Sequence, residues 1–184
     1  FVDQMWWWNI LAAIVDYKTA KRVATHFMAA VGTNNPDGGN SGFFDSSSKQ
    51  MLSRTLLAAA VSGRTMREVI EWIDGYSREP VELLREHGLT RHARALDAQW
   101  ELPPETLGGI QGGASAALES LQDESDLRWV TPPHTWETAP DRESPELDLW
   151  TLFAPTEKAA PTLYLMTQEG AESSGPVVAA MVDQ

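Results

Sequence analysis

The segment Thr162-Leu163-Tyr164-Leu165-Met166 constrains this chain most, because it is the one strong strand signal in a sequence otherwise patterned for helices. Its apolar residues run almost continuously instead of alternating, the pattern of a strand covered on both faces in a parallel sheet. One strand cannot make a sheet, so its partners are expected outside this chain. Residues 161–184 therefore read as a strand and a following helix, opened by Pro176, that return to a second, α/β unit.

Upstream, the apolar spacing is helical. Residues 17–31 place Ala20, Val23, Ala24, Phe27, Met28 and Val31 on one face, with Thr19 as the expected N-cap and Gly32 past the end. Residues 45–61 carry the clearest stripe, Met51, Leu52, Thr55, Leu56, Ala59 and Ala60, stopped by Gly63. Thr65-Met66-Arg67-Glu68 has the order of a capping box and opens a helix that buries Val69, Ile70, Trp72 and Ile73 and ends near Gly75. Further helices are predicted from Ser77 to Gly88, with Val81, Leu83 and Leu84 packing, and from a Thr90 cap to about Trp100. After Pro103-Pro104 a long helix over 105–122 contains Gly108, Gly109, Gly112 and Gly113, each costing about 0.5–1 kcal/mol relative to alanine. Either two backbones pack closely there or the helix breaks. Asp148 caps a last short turn, 149–153. Of the consecutive Trp6, Trp7 and Trp8, at least two are expected to be buried. The fold class is mainly α: a compact bundle of about seven helices followed by a βα stub.

Charge divides the chain. Residues 1–100 hold 11 basic and 11 acidic side chains, whereas 101–184 hold 3 basic and 15 acidic, so the whole net charge of −12 lies in the second half. An acidic face repels phosphate and disfavours unaided tight binding of duplex DNA. It serves either as a solvated surface or as a docking face for a basic partner, with Asp141 and Glu143 as candidates for the latter. Cysteine is absent, which removes disulfides, thiolate metal sites and a cysteine nucleophile. No apolar run reaches the roughly 18 residues of a membrane span.

Catalytic patterns are not found. His26, His87, His92 and His134 form no HExxH pattern, and structural or surface roles suit them. Ser46-Ser47-Ser48 lacks a nucleophile elbow and suits a helix N-terminal turn. The glycine-rich stretch 33–42 has no Gly-Lys-Ser/Thr ending and follows no strand, as a phosphate-binding loop would. No apolar strand ends in Asp-Glu, so the chain lacks both nucleotide motifs of a P-loop ATPase. Arginines at helical spacing, Arg64 with Arg67, Arg78 with Arg85, and Arg91 with Arg94, suit either DNA phosphates or a solvated face paired with glutamates.

Several stretches together resemble one family, the TraG/TraD-like conjugative coupling proteins of type IV secretion, in particular their actinobacterial members. Trp8-Asn9-Ile10-Leu11 resembles the family's Trp-Asn-Pro-Leu, with isoleucine in place of proline. Phe43-Phe44-Asp45, running into Met51-Leu52 and Leu56-Leu57-Ala58-Ala59-Ala60, is similar to its Phe-Trp-Asp helix, and Gly63-Arg64-Thr65 and Trp72 continue the match. Trp129-Val130-Thr131-Pro132-Pro133, Leu147-Asp148-Leu149 with Phe153, the strand at 162–166 and Gly175-Pro176-Val177-Val178-Ala179-Ala180 follow in the family's order.

The resemblance implies a RecA-like P-loop ATPase, hexameric and membrane-anchored, interrupted between its two nucleotide motifs by an all-α domain. Residues 1–11 would end one ATPase segment, 12–160 would form the all-α insertion, and 161–184 would return to the ATPase sheet. ATP and Mg would belong to the parent protein, with no cofactor held by this piece and no hydrolysis by it. The all-α domain would face the cytoplasm and meet a relaxase or secreted protein substrates, and possible DNA contact would be weak. Partner-binding candidates are Arg64, Arg67, Arg91, Arg94, Asp141 and Glu143. A free-standing helical protein-interaction adaptor and a DNA-binding module are the alternatives.

Overall fold

A computed structural model describes residues 6–32, 41–138, 143–152, 154, 163–164 and 174–183. Among these the chain is mainly helical: α1 (Tyr17–Gly32), α2 (Ser41–Ser62), α3 (Met66–Asp74), α4 (Glu79–Glu86), α5 (Thr90–Trp100), α6 (Pro104–Ala117), α7 (Glu124–Leu127), α8 (Leu149–Leu152) and α9 (Gly175–Val182). The all-α character expected from the apolar spacing is present.

Helix α2 is the axis of the bundle, packed by α1, α3, α4, α5 and α6. The sequence predicts one apolar stripe on it; instead residues 51–59 are buried on every side. A helix surrounded by others has no solvent face, so its polar residues must be satisfied internally. Ser53 and Thr55 do this by donating their hydroxyls back to the carbonyls of Lys49 (2.6 Å) and Met51 (3.0 Å). Leu52, Leu56 and Leu57 are almost fully buried, each contributing about 1.5–3 kcal/mol of transfer energy.

The helix boundaries follow local chemistry. Asp16, not Thr19, caps α1: its carboxylate accepts from the Thr19 N–H at 2.8 Å, while the Thr19 hydroxyl accepts from the Asp16 N–H at 3.1 Å. Gly63 (φ 68°) and Gly88 (φ 75°) adopt the left-handed conformation that ends α2 and α4. Behind them, Arg64 N–H returns to the Ala59 carbonyl (2.9 Å) and Leu89 N–H to that of Leu84 (2.8 Å). At the start of α3 the Thr65 N–H donates to the Glu68 carboxylate at 2.8 Å, and the Thr65 hydroxyl reaches the same carboxylate. The predicted 105–122 helix divides into α6 and a 3-10 turn at Glu119–Leu121.

The glycines of α6 fall on two faces. A methyl group on Gly109 would meet the Phe44 ring, and one on Gly113 the Ser48 hydroxyl, whereas Gly108 and Gly112 face open space. Close approach of α6 to α2, not a broken helix, accounts for the glycine pair. Of the three tryptophans Trp8 is buried, Trp7 half-buried and Trp6 exposed, so only one meets the burial expected of at least two. Trp7 earns its place through its backbone, accepting from Leu147 N–H (2.7 Å) and donating to the Pro145 carbonyl (3.2 Å).

No strand occurs among the described residues, where the sole extended pairing is a parallel bridge between Trp7 and Glu146. Of the predicted strand only Leu163 and Tyr164 are described, and neither is paired in a ladder; Thr162, Leu165 and Met166 lie outside the described residues. The helix predicted after it is present as α9, packed on α1. Among the described residues no helix is long and apolar enough to cross a membrane.

Candidate functional site

The arginine candidates separate into two chemically different sets. Arg64, just before α3, pairs with Glu79 at 3.2 Å and Glu68 at 3.7 Å, and Glu79 also accepts from the Trp72 indole at 3.0 Å. Arg67, on the next turn, pairs with Glu124 at 2.6 Å. Glu124 in turn accepts from the Glu137 N–H at 3.1 Å and lies 3.6 Å from Arg128. Burial works against the charge on Glu124, but the Arg67 hydrogen bond, the Glu137 N–H and both guanidinium charges outweigh it and hold the carboxyl below its usual value. Arg64 and Arg67 thus tie α3 to α4 and α7.

Arg91 and Arg94 sit on the exposed side of α5 and have no carboxylate partner among the described residues. Arg91 stands close to a group of side chains that the sequence does not bring together. The Tyr17 ring, from α1, stacks on the His92 ring, from α5, at 4.4 Å between centroids and 28° between planes. The Arg54 guanidinium, from α2, lies over the other part of that stack, 5.5 Å from the Tyr17 ring centre.

Among the described residues Arg54 is held by neutral acceptors: the Gln50 carbonyl (3.2 Å), the Gln50 side chain (3.4 Å) and Gln99 (3.5 Å). Gln99 is itself fixed by donating to the Ser47 carbonyl at 3.0 Å. Burial lowers the Arg54 pKa, and the charge of Arg91 lowers it further, against a raising contribution from Tyr17. Burial likewise lowers the His92 pKa, reinforced by the charges of Arg54 and Arg91. The local field is therefore positive in a chain whose net charge is −12.

Of the acidic candidates, Asp141 lies outside the described residues, and Glu143 is exposed. The charge of Arg91 therefore acts on Arg54 and His92, Arg94 lies one turn further along α5, and Arg64 and Arg67 stay in separate ion pairs. Sequence reasoning missed Arg54 and Tyr17 and assigned His92 a structural or surface role. No local pattern links them, since they come from three helices. Among the described residues no three of His, Asp and Glu converge as metal ligands would. No protein-family model, curated protein or solved structure matches the chain.

Proposed function

We propose that this chain is the substrate-recognition all-α domain of a conjugative coupling ATPase, docking a relaxase or secreted protein before translocation. The observation that carries the reading is the pairing of Trp7 with the segment Pro145–Leu147. A domain inserted into another must let the chain arrive and leave at neighbouring points. Here the segment before the insertion hydrogen-bonds one late within it, and α9, on the returning segment, packs on α1 near the start of the insertion. The collinear blocks from Trp8 to Ala180 add support, as does the acid-rich second half, which suits a basic protein partner.

The test is crosslinking and titration of the purified chain against the relaxase or secreted proteins of the same transfer system. Saturable binding without ATP turnover is expected. Turnover by the pure chain, or no binding to any of these proteins, overturns the proposal.

One observation favours a second reading, a DNA contact: Arg91 and Arg94 are both exposed on α5, without acidic partners among the described residues. Titration with single- and double-stranded DNA at about 150 mM salt tests it, because nonspecific phosphate contact weakens steeply there. Binding that survives at this salt would favour DNA over protein recognition.

A further inference from the structure

Helix α1 packs on α2, α6 and α9, and α5 packs on α2 and α4. Between α1 and α5 stands the Tyr17–His92 stack, its ring centroids 4.4 Å apart and its planes 28° from parallel. Tyr17 opens α1 and His92 lies in the first turn of α5, so the rings meet where both helices begin. Both residues are half-buried. His26 and His87 are each anchored through a ring nitrogen, to Asp183 and to the Leu83 carbonyl, at 2.9 Å. The His92 nitrogens have no such anchor among the described residues, and its ring is held by stacking.

The charges that act on His92 are positive: Arg54 from α2 and Arg91 from α5 itself. Arg54 lies 5.5 Å from the centre of the Tyr17 ring, so a charged imidazole would share that ring with a guanidinium. The first turn of α5 adds the positive end of a helix dipole and contains no acidic residue. Nearby carboxylates are engaged elsewhere. Asp16 accepts from Thr19 at the cap of α1, Glu79 and Glu82 of α4 pair with Arg64 and Arg85, and Asp97 takes Arg78 and Arg85 further along α5. Burial, then Arg54 and Arg91, accordingly hold the His92 imidazole below the ordinary histidine range.

We propose that the Tyr17–His92 stack is an acid-released clasp: neutral His92 holds the start of α5 against α1, and a proton on the imidazole drives the two rings apart. The closed form refuses a proton that an open form, with His92 in water, accepts. Opening is therefore favoured as pH falls through the ordinary histidine value of 6.5, and the gain levels off below the lower value of the closed form. The rest of the bundle has no part in the switch, because α1 and α5 each keep their packing on α2. Opening uncovers the Tyr17 ring and admits water to Arg54, which the closed fold buries.

The experiment follows the His92 ring shift and the Tyr17–His92 nuclear Overhauser contacts in the whole chain by NMR from about pH 8 to about pH 5. In the wild type His92 should titrate below 6.5, with the ring contact fading along the same curve while α2 amides stay protected. His92→Phe, which stacks but takes no proton, should keep its contact with Tyr17 across the range. Arg91→Gln, on the surface, should raise the His92 midpoint by about 0.3 pH unit. Salt at about 0.5 M should act in the same direction by screening. The Arg91→Gln measurement remains decisive where His92→Phe unfolds. A His92 midpoint at or above 6.5, or unmoved in Arg91→Gln, overturns the proposal. So do a His92 still neutral at about pH 5, rings that stay stacked once it is charged, and the same loss of contact in His92→Phe.

Discussion

The Ser48 hydroxyl donates to the Ile110 carbonyl at 2.7 Å, joining α2 to α6 at the point where Gly113 leaves room for it. A methyl group on Gly113 would lie 2.5 Å from the Ser48 Oγ and 3.2 Å from its Cβ. Gly113→Ala therefore gains about 0.5–1 kcal/mol of helix propensity but forces two packed helices apart, which costs about 1–3 kcal/mol. Gly112→Ala faces open space and collects the propensity gain alone. Urea denaturation should show Gly112→Ala stabilised and Gly113→Ala destabilised. Equal shifts in the two variants would mean that α6 does not approach α2 this closely.

The start of α3 rests on Glu68, whose carboxylate takes both the Thr65 N–H and the Thr65 hydroxyl. Glu68→Ala leaves the Thr65 N–H without this acceptor and should cost about 1 kcal/mol. Glu68→Gln retains an oxygen at the same place and should lose less, although it weakens the ion pair with Arg64. Thermal melts of the two variants separate the cap from the charge: a glutamine variant as unstable as the alanine one would assign the effect to the ion pair.

These two sites mark what the sequence could and could not disclose. The capping box is legible because both partners lie within four residues and their roles are set by backbone geometry. Gly63 and Gly88 are legible for the same reason: a helix that ends in the left-handed region favours glycine. The four glycines of α6 announce either close packing or a break, and only the position of Phe44 and Ser48 selects between them. Arg54 was hidden by a similar gap. Its burial follows from α2 being enclosed by five helices, and no count of residues along α2 reveals how many neighbours it has. Arg91 and Arg94 were visible as a pair, but their lack of counter-charge depends on which glutamates the fold sends elsewhere.

Glu124 links stability to pH. Its carboxyl is held below the usual value by Arg67, the Glu137 N–H and Arg128, against the opposing effect of burial. A carboxyl with a depressed folded-state pKa stabilises the fold above its unfolded value, and that contribution disappears as pH falls through the folded value. The loss should thus begin below about pH 4.5, the ordinary glutamate value, and continue downward. Glu124→Gln removes this contribution at neutral pH and should flatten the acid limb of Tm against pH. An acid limb of unchanged steepness in the variant would place the acid sensitivity in other carboxylates.

Asp183 holds α9 to α1 from the solvent side, accepting from His26 at 2.9 Å and pairing with Arg22 at 3.1 Å. The His26 hydrogen bond lowers the Asp183 pKa most; desolvation opposes it, and the charges of Arg22 and His26 add to the lowering. Below α9 the contact is apolar, through the buried Ala180 and Pro176. An exposed ion pair adds little to global stability and is screened by salt, whereas it can govern local opening of a short terminal helix. Asp183→Asn should accordingly speed amide exchange in α9 while leaving protection in α2 and the global melting temperature nearly unchanged. The sign with pH follows from the depressed pKa: the contact is present above the ordinary aspartate value and is lost as pH falls through the folded-state one. Raising salt to about 1 M should mimic the substitution in the wild type and do nothing further in the variant. If α9 exchanges equally in both proteins at low salt, its docking rests on the apolar contact with α1 alone.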